Sequence, residues 1–308
     1  MLRALLLYLS RRERLGQAME RLPFTRRLVR RFVAGTGADQ AFTVIADLQQ
    51  SGLLSAVTYL GENVRTADDA RRARDVYLAL HDEIKRQDFR CTPSLKLTHL
   101  GLHLSVTICR ENLERVLEHG QGNGQLTWID MESSAYTNRT LDLYQSVRQR
   151  YPSAACVIQA YLRRSEADIR RLIARGAIVR LCKGAYREPP RLAFPTKQEV
   201  DEQYAQLMDL LLSPEALAAG VYPAFATHDE RLIARAVRRA RDLQVPAEKF
   251  EIQMLYRIRH DLHDRLRDQG VRLRVLVPFG EEWYGYFVRR LAERPANLIF
   301  LLRSLFRG

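Results

Sequence analysis

Residues 178 to 186, Ile-Val-Arg-Leu-Cys-Lys-Gly-Ala-Tyr, open as an apolar, β-branched run and end on a cation, a glycine and a phenol. The same design recurs. Gly61-Glu62, Lys96, Asp130-Met131-Glu132, Gln159, Thr227-His228-Asp229 and Gln253 each lie within or just after another short apolar run. Polar groups set into such runs cost free energy unless they are partnered. Near the C-terminus, Tyr286, Arg289, Arg290 and Glu293 fall three or four residues apart, which puts phenol and guanidinium groups on one face of a helix. Adjacent arginines meet a carboxylate through paired hydrogen bonds, with more geometric selectivity than lysine provides. The chemistry on offer is therefore a cationic pocket that grips a small anionic substrate. Two structural readings stand beside it: Lys96 as half of a buried ion pair with Asp130 or Glu132, and residues 283–294 as an ordinary charged helix.

Those residues need a scaffold that brings strand ends together. Strand-like runs are expected at Ala56 to Leu60, Leu95 to Leu100, Leu126 to Asp130, Cys156 to Ala160, Ile178 to Leu181, Tyr222 to Ala226, Phe250 to Met254 and Val271 to Val277. Helical patterns follow them, the first two at Thr66 to Gln87 and Thr107 to His119. Continuous apolar strands alternating with helices indicate parallel strands covered on both faces. Eight such units predict an α/β fold, a distorted (β/α)8 TIM-type barrel over residues 51–308, with an open doubly wound sheet as the alternative. Residues 1–50 read as an N-terminal helical arm, with Leu2, Leu5, Leu6 and Leu9 at helical spacing ahead of a basic segment, Arg26 to Arg31. The final helix is expected over the barrel mouth, and barrel enzymes place their chemistry at the carboxyl ends of the strands.

Bulk properties narrow the field. A chain of 308 residues buries one large core. The net charge of +13 and pI near 9.9 suit anionic partners, whether a phosphate-bearing cofactor, a carboxylate, an acidic membrane surface or nucleic acid. Because only Lys85, Lys96, Lys183, Lys197 and Lys249 are lysines, a compositional drift toward arginine on a solvated surface explains much of this basicity. Cys91, Cys109, Cys156 and Cys182 have no metal-ligand or redox-pair spacing and fit a reducing compartment. His99, His103 and His228 form no convincing ligand set, so no metal is expected. No apolar run has the length of a membrane span.

Taken in order, Lys96-Leu97-Thr98, Ile129-Asp130-Met131-Glu132, Gln159-Ala160-Tyr161, Arg180 through Pro189, Ala226-Thr227-His228-Asp229, Phe250 through Tyr256 and Tyr286-Phe287-Val288-Arg289-Arg290 resemble the flavin-dependent proline dehydrogenases, in particular the short bacterial single-function form. The resemblance covers essentially the whole chain. It implies oxidation of L-proline to Δ1-pyrroline-5-carboxylate, with FAD as cofactor and a membrane quinone as electron acceptor. By the same resemblance, Asp130 and Arg180 are catalytic, and Lys96, Tyr186, Leu255, Tyr286, Arg289 and Arg290 bind the substrate. Met131, Gln159, Arg180, Lys183, Gly184, Ala185, Thr227 and His228 would hold FAD. The implied setting is cytoplasmic with peripheral contact at the inner face of the membrane, compatible with a homo-oligomer and with no nucleic-acid partner.

The chain departs from that pattern at two places: Leu276 stands where tyrosine is common, and Arg257 where glycine is common. The expectations are altered substrate affinity from the first and a differently shaped loop from the second. Two other classes remain open on the residues alone. One is a barrel aldolase with Lys96 or Lys183 as a Schiff-base nucleophile; the other is a non-enzymatic binder of nucleic acid or anionic lipid. Neither explains why lysine, aspartate, glutamine and arginine recur at strand ends.

Overall fold

The computed structural model describes residues 32–61 and 64–293. Eight parallel strands close into one barrel in chain order: β1 (Leu54–Tyr59), β2 (Cys91–Lys96), β3 (Thr127–Asp130), β4 (Ala154–Gln159), β5 (Ile178–Cys182), β6 (Tyr222–Ala226), β7 (Glu251–Leu255) and β8 (Leu273–Phe279). Closure comes from β8 pairing with β1 in parallel, with Ser55 opposite Val275 and Val57 opposite Val277. The expected TIM-type barrel is therefore present, and the open sheet is not.

Local sequence explains the outer helices. In α2 (Ala67–Arg86), the Thr66 hydroxyl accepts from Asp69 N at 3.1 Å while the Asp69 carboxylate accepts from Thr66 N at 2.8 Å, a reciprocal cap that satisfies two otherwise orphaned donors. One face of that helix, Ala70, Ala73, Tyr77, Leu80 and Ile84, is buried at helical spacing. Thr196 and Glu199 start α6 (Lys197–Leu211) in the same way. Between them come α3 (Val106–Gly122), α4 (Ser134–Arg148) and α5 (Ser165–Ile173); after them come the short α7 (Pro214–Ala218), α8 (Glu230–Asp242), the short α9 (His263–Asp268) and α10 (Trp283–Glu293).

Ahead of β1, α1 (Ala38–Gln50) buries Ala41, Phe42, Ile45 and Leu48 in the barrel's own hydrophobic core. Helix does not extend through the rest of the described part of residues 1–50. Residues 32–37 are irregular, because Gly35 and Gly37 interrupt the pattern and the segment instead hydrogen-bonds beside the end of β8, through Ala34 N to Pro278 O at 2.8 Å and Gly280 N to Gly35 O at 3.0 Å. The expectations for Leu2 through Arg31 fall outside the described residues.

Strand two is the clearest displacement, since it starts four residues before its expected place. Pro93 cannot donate to a ladder and so argues against a central strand, yet it pairs in register with Val57. The apolar residues that suggested a strand through Leu100 belong to a turn: Leu97, Leu100 and Leu102 are buried, and His99 N and Leu100 N bond back to Lys96 O and Leu97 O. Strand eight likewise starts and ends two residues beyond its expected place.

The barrel interior carries a polar network at its floor, where strands begin. Glu251, fully buried, accepts from Arg274 through Nε at 2.7 Å and Nη2 at 2.9 Å, from Gln253 at 2.5 Å and from the Tyr222 hydroxyl at 3.0 Å. The remaining terminal nitrogen of Arg274 donates to Ser55 O at 2.8 Å. Burial opposes ionisation of Glu251, but the charge and hydrogen bonds of Arg274 hold its carboxyl below the ordinary range. Three cysteines are packing groups: burial raises the thiols of Cys91 to about 11 and of Cys109 and Cys156 to about 12.

Candidate active site

At the other end of the barrel, β2, β3 and β5 bring three polar side chains into direct contact. Ser94 Oγ donates to Asp130 Oδ1 at 2.8 Å, and Arg180 Nη1 reaches both Ser94 Oγ and Asp130 Oδ1 at 2.9 Å. The guanidinium lies over the Trp128 ring, 4.3 Å from its centroid. Arg180 is 5% exposed. Its Nε and Nη2 are buried without a hydrogen-bond partner among the described residues. Burial lowers the Arg180 pKa, with the Asp130 charge opposing that shift. A buried cation with donors left over is an electrostatic device waiting for an acceptor.

Around this centre the strand ends are stitched together. Glu132, 8% exposed, accepts from Thr98 N at 3.1 Å and Thr98 Oγ1 at 2.7 Å, fixing the turn after β2 to the end of β3. Gln159 donates to Glu132 O at 2.8 Å and accepts from Ala185 N at 3.4 Å, so its amide links the ends of β3, β4 and β5. His228 Nε2 accepts from Leu255 N at 2.9 Å, joining β6 to β7. That bond fixes the ring nitrogen that faces β7 as the unprotonated one. Lys183 donates to Asp201 at 2.5 Å and to Asp229 at 3.1 Å. Burial pushes the Asp229 carboxyl up, but the Lys183 hydrogen bond and charge outweigh it and hold the group below the ordinary range.

Backbone shape completes the cradle. Gly184 has φ +113°, and a side chain there would bring its Cβ within 2.4 Å of the Tyr161 ring, so only glycine lets the chain turn this closely. Met131 and Thr227 are buried beside the strand ends, while Ala185, Tyr186 and Leu255 are half-buried. Tyr286 is buried on α10 in an apolar cluster with Val33, Leu60, Trp283 and Phe287, which seats that helix at the β1–β8 end of the mouth. The backbone of α10 carries positions 289 and 290, but the side chains of Arg289 and Arg290 lie outside the described residues, as does Glu62.

The structure thus unites Asp130 with Arg180, Gln159 with Ala185, and His228 with Leu255. Lys183 is engaged by two carboxylates that were not singled out as its partners. Ser94 and Trp128 escaped the sequence reading although a signal existed: they sit two residues before Lys96 and Asp130, and period-two alternation puts each pair on the same barrel face. Arg257 keeps the loop after β7 in a left-handed conformation, φ +56°, in which glycine carries no steric penalty. The loop shape expected to change is one that arginine adopts at a cost.

The donor set suits a flavin. Two unsatisfied guanidinium nitrogens and an amide fixed by backbone are what a flat, acceptor-rich ring needs beside it. Among the described residues there is no cluster able to hold a metal ion, and no helix is long and apolar enough to cross a membrane.

Residues 41–303 match the family model described as proline dehydrogenase. The chain is 36% identical over 307 residues to proline dehydrogenase 1 of Bacillus subtilis, with 100% of both chains covered. It is 31% identical over 290 residues to proline dehydrogenase of Deinococcus radiodurans, covering 91% of each. Among solved structures, it resembles proline utilization A of Bdellovibrio bacteriovorus inactivated by N-propargylglycine, with TM-score 0.79 and 26% identity over 87% of this chain. The chain spans about a third, 32%, of that larger protein.

Proposed function

This chain belongs to the proline dehydrogenase family and is an enzyme that oxidises proline, and from that premise we propose that it converts L-proline to Δ1-pyrroline-5-carboxylate with FAD at the barrel mouth. The observation that carries the reading is the Ser94–Asp130–Arg180 cluster, a buried guanidinium anchored through one nitrogen with two others uncommitted. FAD, when bound, supplies a hydride acceptor at N5 for the hydrogen at proline C5 and a route for the electron pair to a membrane quinone.

The chain's own residues position and polarise. Arg180 presents a desolvated positive charge to the flavin, stabilising negative charge that develops during the reaction. Asp130 holds Arg180 in place, and its carboxylate is the group assigned to assist deprotonation of the proline amine. Lys96, Arg289 and Arg290 grip the substrate carboxylate, and Tyr186, Leu255 and Tyr286 wall the ring, so that binding energy is spent on orientation. Met131, Gln159, Gly184, Ala185, Thr227 and His228 hold the flavin. Lys183 would help hold the same cofactor from within its pair of carboxylates, Asp201 and Asp229. The enzyme acts in the cytoplasm at the inner face of the membrane, where the quinone resides.

The test is optical. Purified protein is expected to show the visible absorption of oxidised flavin and to lose it on anaerobic addition of L-proline. A flavin-loaded protein whose spectrum is untouched by L-proline, or a flavin-free protein whose lysine forms a Schiff base with a carbonyl substrate that added borohydride reduces and traps, would overturn the proposal.

A further inference from the structure

The floor of the barrel, opposite the active site, holds a cavity of about 850 Å³ that the proposed reaction does not use. Its wall includes Trp128, Arg148 and Arg272. Each contributes a buried nitrogen with no hydrogen-bond acceptor among the described residues: Trp128 Nε1, Arg148 Nε and Arg272 Nε. Trp128 is 1% exposed. Arg148 spends its other nitrogens on Pro152 O at 2.8 Å and Gly176 O at 3.2 Å. Arg272 comes no closer than 3.8 Å to the already saturated Glu251 carboxylate. Buried N–H groups are rarely left unaccepted, and here all three orphans are donors.

Charge points the same way. Arg90, Lys249 and Arg274 also line the cavity, against two acids, Glu248 and Glu251. Glu251 is neutralised by Arg274, so the cations facing the remaining space outnumber the free carboxylate. Leu126, Ile178 and Val221 supply an apolar wall. Donors without acceptors, surplus positive charge and an apolar flank describe a receptor for an oxyanion carried on a small carbon skeleton.

We propose that the barrel floor is a second binding site, for a small carboxylate- or phosphate-bearing molecule that accepts from Trp128, Arg148 and Arg272. The chain has two tryptophans, so a Trp283→Phe holoenzyme leaves Trp128 as the only indole reporter. That protein is titrated with inorganic phosphate and, separately, with succinate, at ionic strength held constant with sodium chloride, while tryptophan emission is followed. A saturable change with at least one probe is expected, and whichever probe gives it assigns the ligand's anionic group. Adding Arg272→Gln should weaken that binding at least about tenfold, the scale of one charge-assisted hydrogen bond. Lys249→Gln, on an exposed side chain, should weaken it by a smaller factor and provides a second reading if Arg272→Gln does not fold. No saturable change with either probe, an equal response to chloride alone, or affinity unmoved in the variants would overturn the assignment.

Discussion

Arg274 and Arg180 are two guanidinium groups buried in the interior of one barrel, and their partners differ. Arg274 at the floor has all three nitrogens engaged: two on Glu251 and one on Ser55 O. Arg180 below the mouth has one nitrogen engaged, and its Nε and Nη2 find no hydrogen-bond partner among the described residues. Burying a charge is expensive in both places. At the floor the cost is offset by a closed set of bonds, which makes that pair a structural clasp between β7 and β8. At the mouth the set is left open, and the proposed function assigns the missing acceptors to the flavin. The count of satisfied nitrogens, more than burial or charge, separates Arg274 from Arg180, to which the proposed function gives the catalytic role.

Breaking the floor should give the largest effect. Arg274→Met strands Glu251 in the core, and loss of one partner from a buried pair costs about 3–5 kcal/mol. Denaturant unfolding should show that loss, while flavin reduction per folded molecule stays near wild type. The pH dependence sharpens the point. In the native protein Glu251 titrates below its usual range, so it contributes stability above its unfolded pKa that is lost as pH falls through the folded value. Without Arg274, burial, the largest influence on Glu251, is opposed only by the hydrogen bonds from Gln253 and Tyr222 and raises that carboxyl, so the variant gains relative stability as pH falls. The gap between the two proteins should be widest at neutral pH and shrink toward pH 4 or so. A gap that widens in acid contradicts the role given to Arg274.

At the mouth, Gly184→Ala should cost about 1–3 kcal/mol, the scale of a strained backbone conformation. The expected readout is weakened flavin retention on gel filtration, because the added Cβ drives Tyr161 or the turn out of place. A smaller and opposite effect is expected at Arg257→Gly. Relief of the left-handed strain should raise stability by up to about 1 kcal/mol, measured as a shift in unfolding midpoint, with turnover little changed. No gain there would mean that the stacking of Arg257 over Tyr256, 5.3 Å from ring centroid, already compensates the strain.

The architecture was legible because parallel barrel strands are continuously apolar and each is followed by a helix with its own periodicity. The strand-end placement of Asp130 and Gln159 followed from the same pattern. Strand two was misplaced where two local signals conflicted: Pro93 speaks against a strand, while Leu97, Leu100 and Leu102 imitate one from inside a buried turn. That shift hid Ser94, which lay outside the expected strand although it bonds both Asp130 and Arg180. The partners of Lys183 were not legible either, since Asp201 lies on α6 and Asp229 caps α8, and no periodicity links helices so far apart in the chain. The pairing of Glu251 with Arg274 is of the same kind: β7 and β8 meet at a register, Gln253 opposite Arg274, that the apolar pattern of either strand does not specify.

The most direct test of the open-mouth account is anaerobic rapid mixing of flavin-loaded Arg180→Met with saturating L-proline. The account predicts flavin bleaching slowed about 10²–10³-fold, the cost of removing one preorganised charge donor, with half-saturation for proline moved far less. Bleaching at the wild-type rate in a fully loaded variant would contradict it, and would leave Arg180 as structural a residue as Arg274.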